Sequence, residues 1–201
     1  MIVADPQRAE AALAAGELPC PHCRGVLRAW AHARTRRIRG LPDPVRPRRA
    51  LCPACKRSQV LLPGALLPRR ADAAEVVGAA LVAKAAGKGH RQIAADLQRP
   101  ESTVRRWLRA TRTPQHLAWI HHRATVRLIE VAPQIFETFT FTRFPPLPEA
   151  PLRAGPLADA LGALAVAVSA IRDRFPDTTA SAWALIGVIT GGRLLLPAPS
   201  G

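Results

Sequence analysis

The chain of 201 residues has no tyrosine, one methionine and four cysteines, and its 14 acidic residues stand against 29 Lys and Arg. Each shortage excludes something. No basic stretch followed by an apolar run opens the sequence, so no secretory leader is expected. Nor does any apolar segment reach the roughly 20 residues of a bilayer span. The most apolar stretches, 160–171 and 182–190, are bounded by Asp159, Arg172 and Arg193, so no membrane association is expected. Absence of a leader and of a disulfide-rich pattern predicts reduced cysteines in a cytoplasmic, nucleoid-associated protein. Carboxylates are scarce where catalysis would need them. Beyond residue 113 they are Glu130, Glu137, Glu149, Asp159, Asp173 and Asp177, on predicted helices, caps or a proline-rich stretch. A strand-transfer or nuclease centre gathers carboxylates around two metal ions. The chain is therefore not expected to be an enzyme.

What is present in excess is positive charge. The formal net charge is +15 and the sequence pI about 11.6, which calls for nucleic acid or another anionic surface. Residues 1–126 hold 23 Lys and Arg against 8 Asp and Glu, whereas residues 127–201 hold six of each. A codon bias toward Ala, Arg, Pro and Gly would enrich arginine, but would not leave the last third neutral.

All four cysteines fall in two pairs, Cys20-Pro21-His22-Cys23 and Cys52-Pro53-Ala54-Cys55, with 28 residues between them. A two-residue gap lets both sulfurs of a pair face one ion, and four thiolates at about 2.3 Å complete a tetrahedral zinc shell with no open position. Two disulfides or a redox dithiol are the competing readings, but a redox motif needs one copy, opening a helix after a strand. A structural Zn2+ held by Cys20, Cys23, Cys52 and Cys55 is the expectation.

Around the cysteines the pattern predicts a short helix over residues 6–15, capped by Asp5 and stopped by Gly16. Short irregular strands are predicted at 26–33, 35–39, 45–51 and 58–62, interrupted by Pro42, Pro44 and Pro47. That is a small antiparallel zinc ribbon. Its arginines, Arg34, Arg36, Arg37, Arg39, Arg46, Arg48 and Arg49, are too many to be buried.

Beyond Pro63-Gly64 the period becomes helical. Asp72 is predicted to cap a helix running to Ala86, which Gly87 ends. Residues 89–98, a turn at Arg99-Pro100-Glu101, and 102–110 then have the layout of a helix-turn-helix. Ile93, Ala94 and Leu97 form one apolar stripe and Val104, Trp107 and Leu108 another. Ser102 is the predicted N-cap of the second helix. Inward-facing Val104, Trp107 and Leu108 leave Thr103, Arg105, Arg106 and Arg109 outward, where a recognition helix reads the major groove. The spacing of Trp107 from Val104 places it in the core and not on a base. A further helix is predicted over 114–131. Its His116, His121 and His122 read as surface residues without partners for a metal. Phe136, Phe139, Phe141 and Phe144 read as a local core or interface.

Five prolines in 145–156 predict an extended linker. Leu157, Leu161, Leu164, Val168, Ile171 and Phe175 then recur at intervals of three and four, a short a/d seam. Asp177 is predicted to cap a second helix through Thr190. The resulting hairpin either docks on the preceding helices or joins copies of the chain. The expected fold is mainly α: lead-in helix 1–19, zinc ribbon 20–63, helix-turn-helix domain 64–113, helical extension 114–144, linker 145–156 and C-terminal hairpin 157–201.

The order of cysteine ribbon, basic strands and a helix-turn-helix ending in Ser102-Thr103-Val104-Arg105-Arg106-Trp107-Leu108 resembles the N-terminal DNA-binding halves of bacterial insertion-sequence transposases. It is also similar to an uncharacterised bacterial family that joins a zinc ribbon to a helix-turn-helix. The resemblance covers residue 18 to about residue 110 and is most specific over 83–110. It implies that the four cysteines are zinc ligands and that residues 102–109 form the recognition helix. One departure is Gln98, where glycine commonly follows the leucine of the turn. Together these readings predict a sequence-specific binder of double-stranded DNA, a regulator or the DNA-recognition component of a mobile element. The phosphate contacts expected are Arg46, Arg48 and Arg49, and the groove contacts Ser102, Thr103, Arg105, Arg106 and Arg109. A homodimer or a partner protein is expected at the C-terminal helices. The alternatives are a zinc-ribbon protein that binds RNA or the transcription machinery, and a small transposase fragment.

Overall fold

The computed structural model describes residues 1–134 and 153–196. The phenylalanine cluster at 136–144, Glu137, Glu149 and most of the expected linker lie outside the described residues. Among the described residues there are seven helices and a four-stranded sheet, and the strands all fall within the first 63 residues. The molecule is thus a small β ribbon set beside a larger helical body.

Helix α1, Pro6–Ala15, forms as its caps dictate. The Asp5 carboxylate accepts from the amides of Gln7 and Arg8, Pro6 opens the first turn, and Gly16 at φ 73° ends it. The sheet comprises β1 (Ile2–Val3), β2 (Arg28–His32), β3 (Arg48–Leu51) and β4 (Ser58–Pro63), in spatial order β1-β4-β3-β2. Strands β2, β3 and β4 pair antiparallel, as a ribbon requires, and β1 adds in parallel along β4. The predicted strand at 35–39 is reduced to single bridges, Arg36 to Val45 and Arg39 to Asp72, because Pro42, Pro44 and Pro47 remove ladder donors. Val3, Ala9, Leu13, Cys20, Leu27, Ala50, Cys52 and Leu61 form the main buried cluster of the ribbon. A core that small needs a staple.

The helical body contains α2 (Ala74–Ala85), α3 (His90–Asp96), α4 (Glu101–Ala110), α5 (Pro114–Val131), α6 (Pro156–Arg174) and α7 (Ala182–Ile189). One continuous core runs through all six, from Val77, Leu81 and Trp107 through Leu117, Ile120 and Leu128 to Leu161, Leu164, Val168, Leu185 and Ile189. The segments expected as helix-turn-helix, extension and hairpin therefore share a core. Leu161, Leu164 and Val168 of the seam are buried within the chain, so they are not free to join copies. Helix α7 approaches α2 closely. A Cβ at Gly78 would stand 2.0 Å from the Trp183 ring, so only glycine lets the indole lie on α2. Ser181, the N-cap of α7, also bonds Glu75 of α2.

Four further expectations are corrected. Asp72 caps nothing: Ala73 holds the N-cap position of α2, without a side-chain cap. Helix α4 starts at Glu101 behind Pro100, so Ser102 lies inside its first turn. Ser181, not Asp177, caps α7. His116 is buried, its Nε2 2.9 Å from the Leu194 carbonyl oxygen and its ring stacked on Trp119. No described helix is long and apolar enough to cross a membrane.

Candidate metal centre and nucleic-acid interface

Each cysteine pair closes a tight turn. The amide of Arg24 bonds the Cys20 carbonyl and that of Lys56 the Cys52 carbonyl, both at 2.9 Å. Arg24 and Lys56 occupy the left-handed region at φ 59° and 58°, which turns the chain sharply enough for amides to point back at sulfur. The two turns face each other. All four Sγ atoms lie within 4.8 Å of one another, with Cys20–Cys55 at 3.8 Å and Cys23–Cys52 at 3.5 Å. Sulfurs about 2.3 Å from a central ion in a tetrahedron stand about 3.8 Å apart, so the four can hold a metal ion. Gly25 is part of the fit: a Cβ there would stand 3.4 Å from the Cys23 and Cys52 sulfurs.

The electrostatics agree. The Cys55 amide lowers the Cys52 thiol to about 7 despite its burial. The amides of Cys23 and His22 likewise lower Cys20. The Gly25 amide favours the Cys23 thiolate, but crowding by Cys52, Cys55 and Cys20 prevails and pushes this thiol up to about 12. Four sulfurs this close do not all ionise without a cation between them. The His22 imidazole is not one of the clustered donor groups. Its Nδ1 lies 3.2 Å from Arg57.

Helices α2, α3 and α4 pack as a trihelical unit. Ile93 and Ala94 of α3 face Val104, Trp107 and Leu108 of α4 over Val77 and Leu81 of α2. Trp107 is core, as its spacing predicts. At the turn, the Gln98 amide bonds the Ala95 carbonyl and the Arg99 amide the Ala94 carbonyl, with Gln98 at φ 51°. This is the Schellman arrangement, and it demands a left-handed residue after the helix end. Gln98 fills that place without the freedom of glycine. On α4, Ser102, Arg105, Arg106 and Arg109 are exposed and Thr103 is half-buried.

Three groups near this surface carry no local sequence signal. Asp72, 2% exposed, receives Arg39 Nε at 3.0 Å and Nη2 at 2.8 Å, and Arg99 Nε at 2.7 Å. Arg99 also donates to the Leu97 and Gln98 carbonyls. One carboxylate thus ties the ribbon, through Arg39, to the turn that aims α4. Glu101 stands 3.6 Å from Arg91 and 3.9 Å from Arg105, orienting the charged end of α4. Arg70 lies near Arg106. Burial first, and then the Arg106 charge, push its guanidinium below the ordinary range.

The ribbon arginines do not act as one group. Arg46 is exposed. Arg48 stands 3.2 Å from Glu10 of α1, whereas Arg49, on the opposite face of β3, bonds Ser58 and lies over Trp30.

Residues 70–114 match the model of a homeodomain-like domain. The match begins at Arg70, spans α2, α3 and α4, and ends where α5 begins. It points to DNA binding through the helix-turn-helix. Comparison with curated proteins and with solved structures gives no match.

Proposed function

We propose that this protein binds double-stranded DNA in a sequence-specific manner, as a regulator or as the DNA-recognition component of a mobile element. The observation that carries the reading is the coincidence of the homeodomain-like match with a trihelical unit whose last helix exposes Arg105, Arg106 and Arg109. A helix of this kind enters the major groove, where arginine pairs with guanine O6 and N7. Homeodomain-like domains of this type occur in transposase DNA-binding regions, which supports the mobile-element form of the proposal. Zinc is the proposed ion at Cys20, Cys23, Cys52 and Cys55, because four thiolates in a closed shell are its structural donor set. When bound it supplies folding energy to a ribbon whose main buried cluster is only eight residues. Binding, not catalysis, is the proposed activity.

Selection of bound duplexes from a random pool, followed by salt titration on the selected site, tests the proposal. Arg105→Ala or Arg106→Ala is expected to cost about 1–3 kcal/mol on the selected site and to relax preference there. Arg46→Ala is expected to weaken all sequences alike and to lower the salt slope by about one. An unchanged sequence preference in both α4 variants would remove α4 as the reading helix.

A further inference from the structure

The outer face of the ribbon carries a feature that duplex recognition by α4 does not use. Trp30 lies on the edge strand β2 and is 55% exposed. The β2–β3 register pairs Ala29 with Ala50 and then Ala31 with Arg49, so Trp30 is the extra residue of a bulge. A bulge re-aims a side chain away from the pleat. The Arg49 guanidinium lies 4.9 Å from the centroid of the indole and is held by Ser58 Oγ at 2.9 Å. One face of the indole is thus backed by a fixed cation.

The surroundings decide the occupant. Strands β2, β3 and β4 carry no acidic residue, and Arg49 lies beneath Trp30 while Arg48 turns to Glu10 on the other face of β3. On these strands Val60 is the one other large apolar side chain that is exposed. A protein interface would centre on a wider apolar patch depleted of charge. A lone indole backed by arginine on a basic sheet matches the elements that bind an unpaired strand: an aromatic face for a base and cations for its backbone.

We propose that Trp30 and Arg49 form a stacking site for one unpaired nucleobase of a single-stranded nucleic acid. Because this site is separate from α4, its test does not depend on duplex recognition. The full-length metal-loaded protein is titrated with labelled oligo(dT) and oligo(rU) of about twelve nucleotides, within the range of such sites, and with a blunt duplex. Trp30→Ala is expected to weaken oligo(dT) or oligo(rU) binding by roughly 5- to 100-fold, the worth of one base–aromatic stack, while leaving the blunt duplex unchanged. Trp30→Phe keeps most of the affinity, which separates stacking from a general disturbance of the ribbon. Comparison of oligo(dT) with oligo(rU) tells whether the strand is DNA or RNA. The proposal is overturned if the wild type binds neither oligonucleotide, or if Trp30→Ala binds both as well as the wild type.

Discussion

Replacing Asp72 with asparagine removes the carboxylate that ties Arg39 of the ribbon to Arg99 of the helix-turn-helix. It accepts three hydrogen bonds of 3.0, 2.8 and 2.7 Å from two guanidinium groups. Hydrogen bonds to charged groups contribute about 1.5–3 kcal/mol each, but the three losses do not add. The Arg39 side chain is 51% exposed and can turn to water, whereas that of Arg99 is 17% exposed and cannot escape. Most of the cost therefore falls on a nearly buried Arg99 left with only the Leu97 and Gln98 carbonyls. The breaking of fully buried pairs at 3–5 kcal/mol gives the ceiling, and relief through Arg39 brings the expectation to about 2–4 kcal/mol. That is a large fraction of the roughly 5–15 kcal/mol that holds a domain folded. Arg39→Ala, which leaves the Asp72–Arg99 pair intact, is expected to cost about 1 kcal/mol. Urea unfolding followed by far-UV circular dichroism measures all of these. Since Arg99 fixes the turn before α4, Asp72→Asn is also expected to broaden DNA sequence preference more than Arg39→Ala does. An Asp72→Asn variant as stable as the wild type, or an Arg39→Ala variant costing as much as Asp72→Asn, would refute this account.

Three further outcomes are expected. Protein purified under reducing conditions should carry one metal ion per chain, and chelation should unfold the ribbon, as read by metal analysis and proteolysis. Its ligands bind as thiolates, so the metal is held at higher pH and lost in acid. A metal-loaded ribbon that grows more stable on acidification would contradict that sign. In the helical body, Gly78→Ala would drive a methyl group into the Trp183 ring. The expected loss is about 1–3 kcal/mol with a changed tryptophan emission, and an unaffected variant would mean that α7 does not rest on α2.

Much of this molecule was legible from local spacing. Two residues between cysteines suffice to aim two sulfurs at one point, whatever surrounds them. Asp5, Gly16 and Gly87 mark helix ends through the backbone groups within one turn, and the structure bears them out. The stripes of α3 and α4, and the burial of Trp107, follow from a period of 3.6 residues. Other features depend on what arrives from far along the chain. The seam of α6 announced an apolar face but could not name its partner, and α5 covers it within the same chain. The spacing of Asp72 before a helix suited a cap until Arg39, 33 residues earlier, and Arg99, 27 residues later, came to its carboxylate. His116 carried no sign that a carbonyl 78 residues away would take it inside. Trp30 is one aromatic in a short strand until the bulge against β3 turns it outward. Local chemistry determined the knuckles and the helix ends, because their partners lie within a few bonds. Tertiary structure decided which charges and rings meet, because long-range contacts are set by the whole packing and leave no periodic trace.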